Sequence, residues 1–147
     1  MLEISVSISS ARFVTIFDTT SRAGVSPKHQ VFPDLLRVIL ASPVVSIHGF
    51  YCHAGQSYAS TSLDEASQFL SVELQAVNDA AELATSVIAQ ANTVSRHNAP
   101  FVLSVGSTPT AHAATPETKA KLRTSLHGKL EIHAGGGFIG FAEANPN

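Results

Sequence analysis

Apolar runs and turn formers alternate along this chain in blocks. Residues 12–18, RFVTIFD, make a short apolar run ending in Asp18, and SRAGVSP then turns the chain on Gly24 and Pro27, which predicts a buried strand and a loop. Phe32, Leu35, Leu36, Val38, Ile39 and Leu40 recur at helical spacing until Ser42-Pro43 interrupts them, because proline disfavours helix in the residue before it. The run VVSIHGFYCHAG at 44–55 opens on β-branched residues and closes on glycine, a strand leading into a loop.

The longest feature follows. No glycine occurs between Gly55 and Gly106 and no proline between Pro43 and Pro100, while Leu63, Ala66, Leu70, Leu74, Val77, Ala81, Ala84, Ile88 and Ala91 trace a helical stripe. Ser62 followed three residues later by Glu65 is a capping box, in which each side chain can satisfy the other's free backbone donor. FVLSVGS at 101–107 repeats the pattern of an apolar run ending on glycine. Thr115-Pro116-Glu117 supplies a hydroxyl cap, a first-turn proline and an acid at the positive end of another helix, and KLEIHAGGG is a last strand ending on glycine.

The predicted order is strand, helix, strand, helix, strand, helix, strand. Continuous apolar strands separated by helices need crossovers and cover on both faces, so the expected class is α/β with about four parallel strands. Length alone favours an open doubly wound sheet, because a closed eight-unit barrel takes about 250 residues.

Composition removes several functions. With 147 residues, 44% apolar and 14% charged, the chain can build a real core. Nine Lys and Arg against 11 Asp and Glu leave a net charge of −2, and the densest basic run is Lys119, Lys121, Arg123, so nucleic acid is not an expected partner. No stretch approaches the roughly 20 apolar residues of a membrane span, and the start Met1-Leu2-Glu3-Ile4 lacks the order of a secretion signal, which makes the expected location cytoplasmic. The single Cys52 excludes an internal disulfide and a Cys-rich metal site.

Candidate chemistry collects where the strands end, in Asp18 to Arg22, His53 to Tyr58, Ser104 to Pro109 and His133 to Gly137; in parallel α/β folds those ends form the ligand face. Gly106-Ser107-Thr108-Pro109 and Gly135-Gly136-Gly137 can bring backbone N–H groups and hydroxyls close to an anion such as phosphate, although each alone is also an ordinary tight turn. His53 and His133 occupy equivalent places in Cys-His-Ala-Gly and Ile-His-Ala-Gly. Either can stack on a planar ring or move a proton, but no HxxxH or HxH spacing argues for a metal. Tyr51 and Tyr58 flank the same loop and could share a ligand. Ser57 and Ser107 lack a nucleophile elbow, and Arg22 can pair with a carboxylate or a ring nitrogen, or simply with Asp18.

Taken together, FVTIFDTTSRAGVSP, GFYCHAGQSYAS, VLSVGSTPT and LEIHAG resemble the central part of the eukaryotic-type D-serine dehydratase family, which sits with alanine racemase and D-threonine aldolase among the fold-type III pyridoxal-phosphate enzymes. The likeness covers residues 12–135, with an unmatched segment at 1–11 and a divergent tail at 136–147. It implies part of a (β/α)₈ TIM barrel of the alanine racemase-like type, carrying pyridoxal 5'-phosphate at its mouth, in place of the open sheet that length favours. By the same likeness Tyr51 and Tyr58 match cofactor-contacting tyrosines, and His53 lies beside the pyridine ring. Ser107 and Thr108 fall in the phosphate motif, Thr108 matching its phosphate-bonding threonine, and Gly135 and Gly136 stand where the family has a Gly-Asn pair completing the cup.

The family chemistry implied is loss of water from D-serine, giving pyruvate and ammonia, with the cofactor as electron sink, a lysine as Schiff-base partner and base, and a zinc ion assisting the hydroxyl's departure. That lysine lies upstream of the matched segment in the family. The four lysines here, Lys28, Lys119, Lys121 and Lys129, fall outside the matching motifs, and the family's zinc ligands have no counterpart. The chain therefore reads as a central fragment that is inactive alone. The alternatives are a non-catalytic module holding pyridoxal phosphate or another phosphorylated ligand, and a racemase or aldolase of the same fold. Open edges and uncovered helix faces would make such a piece a homo-oligomer or prone to aggregate.

Overall fold

The computed structural model describes residues 3–8, 11–13, 24–43, 45–91, 100–115 and 126–133. Three of its strands run parallel: β3 (Val45–Cys52), β4 (Phe101–Val105) and β5 (Gly128–Ile132), paired β3 to β4 and β4 to β5. The other two are antiparallel. β1 (Glu3–Ile8) lies along β3 and pairs in turn with β2 (Ala11–Phe13), giving the sheet order β2-β1-β3-β4-β5.

This corrects the expectation of about four parallel strands. The described part of the run beginning at Arg12 belongs to an antiparallel edge, since only two residues separate β1 from β2, too few for a crossover. The class remains α/β. The rest of that run, the helix expected from Thr115 onward, and the stretch Gly135 to Gly137 lie outside the described residues.

Each helix forms for a local reason. In α1 (Val31–Ala41), Phe32 and Leu36 are buried one turn apart, and the His29 ring nitrogen Nδ1 accepts the free Val31 amide at 3.2 Å where no side-chain N-cap exists. α2 (Leu63–Gln90) starts where expected, with Ser62 Oγ accepting the Glu65 amide. The return bond differs from the expected box: Glu65 Oε2 accepts the Thr61 amide at 2.8 Å, one residue further out. The stripe of α2 holds from Ala66 to Ala84, but Leu63 at its start is 69% exposed.

α1 and α2 cover one face of the sheet. Phe50 lies between Phe32 of α1, at a ring distance of 6.2 Å, and Phe101 of β4, at 5.2 Å, and Leu70, Leu74, Val77, Leu103 and Val105 complete the same core. A bulge makes this possible: Ser5 pairs with Gly49 but the adjacent Val6 pairs with Ile47, so His48 is the extra residue on β3. The bulge re-phases the strand, and Ile47 reaches the core alongside Phe50 and Cys52.

Tyr51, Ser104 and Glu131 are paired neighbours across the three parallel strands and alternate with the core residues, so they line the opposite face. Gly49 keeps the strands close below them, since a Cβ there would stand 2.0 Å from the Val102 carbonyl oxygen. No described helix is long and apolar enough to cross a membrane.

Candidate ligand site at the strand ends

Beyond the last paired residues, Cys52, Val105 and Ile132, the three parallel strands deliver His53, Gly106 and His133 side by side. The His133 amide donates to the Val105 carbonyl at 2.8 Å, which extends the β4–β5 ladder by one bond. Gly106 is required here. Its φ is +123°, and a Cβ would sit 2.4 Å from the His133 carbonyl oxygen.

The rings meet above this seam. His53 Nδ1 stands 3.1 Å from the Gly106 carbonyl oxygen, and the Tyr51 hydroxyl donates to the same oxygen at 3.5 Å. Tyr51 lies 5.4 Å from the His133 ring, and Tyr58 is 6.0 Å from His53, centroid to centroid. His133 Nε2 meets Glu131 Oε1 at 2.5 Å, and the Ser104 hydroxyl donates to that carboxylate oxygen at 3.4 Å. Two imidazoles and two phenols thus form a partly open aromatic wall with a carboxylate at one end.

Tyr58 stands on the one-turn 3₁₀ helix Gly55–Ala59, and Thr108 opens the short helix α3 (Thr108–His112). α3 is absent from the sequence expectation, although Ser107 followed by Pro109 and Thr110 carries its signal. Ser107 is the cap: its amide donates to Thr110 Oγ1 at 2.8 Å, and its hydroxyl meets the hydroxyls of Ser57 and Thr110. Both polar groups of Ser107 are therefore engaged within the protein.

Of the expected site residues, Tyr51, His53 and Tyr58 come together with Gly106, and Ser107 and Thr108 follow it directly. Gly135 and Gly136 lie outside the described residues. Glu131 and Glu73 were not anticipated, and Ser104 entered only as the start of a candidate loop. Lys28 is exposed in the turn before α1, and Lys129 is exposed near the start of β5, at the far end from the rings. Among the described residues, no three His, Cys, Asp or Glu side chains are grouped to hold a metal ion.

The chain is 48% identical over 124 residues to a D-serine dehydratase of Schizosaccharomyces pombe, covering 84% of this chain and 28% of that protein. It is 35% identical over 130 residues to a D-serine dehydratase of Saccharomyces cerevisiae, covering 84% of this chain and 29% of that one. By sequence, this chain is a relative of the D-serine dehydratases. It spans a little over a quarter of the length of these curated dehydratases. No family model matches it, and no solved structure does.

Proposed function

We propose that this chain forms part of the cofactor-binding wall of a D-serine dehydratase-like lyase and holds pyridoxal 5'-phosphate through side-chain and backbone contacts without a lysine link. The carrying observation is the grouping of Tyr51, His53, Tyr58 and His133 around Gly106 at the carboxyl ends of parallel strands. The donor set suits a planar, substituted pyridine: rings to stack on it, a phenol and imidazoles to hydrogen-bond its edge, and a strand-to-helix turn for the phosphate. Bound pyridoxal phosphate supplies an electron sink at the α-carbon of an amino acid.

In this reading Tyr51, His53 and the exposed Tyr58 would hold the pyridine ring by stacking and hydrogen bonding. Thr108 and the chain following His133, with Gly135 and Gly136, take the phosphate. Ser107 shapes the turn from below, because its amide and hydroxyl are already bonded to Thr110 and Ser57. Among the described residues α1 and α2 lie on the one face of the sheet that carries the core, the side on which a TIM barrel of the alanine racemase-like type has its helices.

None of the chain's four lysines falls within the segments that carry the family resemblance, which favours reversible binding over dehydratase turnover by this chain. Titration with pyridoxal phosphate, followed by absorbance, should saturate and reverse on dialysis. Borohydride reduction should leave no lysine adduct in the peptide map, and D-serine should yield no pyruvate. Failure to saturate would remove the binding reading; a mapped lysine adduct with pyruvate release would replace it by a complete active site.

A further inference from the structure

Five polar or charged side chains are buried among the described residues: Ser57, Glu73, Ser104, Ser107 and Thr110. Three of them, Ser57, Ser107 and Thr110, form one hydroxyl chain that joins the 3₁₀ helix bearing Tyr58 to the turn bearing Thr108. Glu73 lies beside this chain. It projects from the middle of α2, has no exposed surface, and its Oε1 accepts the Ala54 amide at 2.5 Å while Oε2 has no hydrogen-bond partner.

A carboxyl group set in a core without a cation is costly unless it organises something. Ala54 is the residue between His53 and the 3₁₀ helix, so its amide fixes the direction in which the chain leaves β3. Ala54 is itself fully buried, and no backbone carbonyl takes its N–H in place of Glu73. α2 packs against β3 and β4 through Leu70, Leu74 and Val77, so the carboxyl is anchored to a rigid element.

We infer that Glu73 is a positioning residue, which with the Ser57–Ser107 hydroxyl pair sets the loop carrying His53 and Tyr58 against the turn carrying Thr108. Its consequence for a ligand rests on the pyridoxal phosphate reading above; its consequence for the loop does not.

The test compares wild type with Glu73→Gln, Glu73→Met and Ser57→Ala at a temperature where each is folded, by site-resolved amide exchange and by pyridoxal phosphate titration. Glu73→Met removes the acceptor at similar volume; exchange over residues 54–59 should rise at least tenfold while the centres of α2 and β4 stay protected, and the dissociation constant should rise at least fivefold. Glu73→Gln keeps an acceptor oxygen and should restore both. Ser57→Ala, a milder change, should raise exchange over residues 55–58 and decides the matter should Glu73→Met fail to fold. Unchanged exchange at 54–59, or an equal rise throughout the core, would overturn the inference. Loosened exchange with unaltered ligand affinity would remove Glu73's role in the site. Wild-type protein that binds no pyridoxal phosphate but shows the local exchange pattern would sink the ligand reading and leave the positioning role standing.

Discussion

His53 directs Nδ1 at the Gly106 carbonyl oxygen from 3.1 Å. A carbonyl oxygen can only accept, so Nδ1 carries the hydrogen, and in the neutral ring Nε2 holds the lone pair. Long-range ¹H–¹⁵N correlation spectra should show the Nδ1–H tautomer for neutral His53. His53→Ala should lower the affinity for pyridoxal phosphate at least fivefold by titration, with little change in melting temperature; an Nε2–H tautomer would contradict the geometry.

Gly106→Ala should be severe. The alanine would be strained at φ +123° and its methyl would strike the His133 carbonyl, a backbone atom that cannot swing aside. A loss of roughly 3 kcal/mol is expected, lowering the melting temperature by about 10 °C. A thermal scan that shows no loss would mean the β4 and β5 ends are not in register there.

Burial pushes the Glu73 carboxyl up from its ordinary 4.5 to about 7, against the opposing pull of the Ala54 amide. The folded state therefore holds this proton more tightly than the unfolded chain, so the contribution of Glu73 to stability is full below about pH 4.5 and is lost as pH rises to about 7. The full contribution is about 3 kcal/mol. Glu73→Gln should flatten this slope, so urea midpoints of the variant relative to wild type should improve between pH 5 and pH 8.

Core and surface positions of similar chemistry should separate cleanly. Leu74 is 2% exposed within the central cluster, and Leu74→Ala should cost about 3 kcal/mol through lost burial and the cavity left behind. Val38, 70% exposed on α1, should cost less than about 0.5 kcal/mol when changed to alanine, as measured by denaturant unfolding.

The long helix was readable because nothing contradicted it: a cap at Ser62, apolar residues at three- and four-residue spacing, and no glycine or proline inside. β1 had a signal of its own in Ile4, Val6 and Ile8 alternating with Glu3, Ser5 and Ser7, the period of a half-buried strand. Which edge such a strand joins is decided by tertiary pairing, and here it runs antiparallel along β3. Glu73 was legible in part, since it falls on the inward register between Leu70 and Val77. An acid on a helix ordinarily faces water, and its reason for facing inward, the Ala54 amide, lies 19 residues away. The aromatic cluster was legible as a list of residues; Glu131 and Ser104 joined it only through strand register.

That pairing has a further cost and benefit. Sliding β5 by one residue against β4 would seat Leu130 or Ile132 beside Ser104 and turn the Glu131 carboxylate into the oily interior under α2, spoiling solubility and ligand chemistry in one stroke. A misthreaded copy would thus betray itself by its instability, so correct folding and a competent ligand face are inspected together.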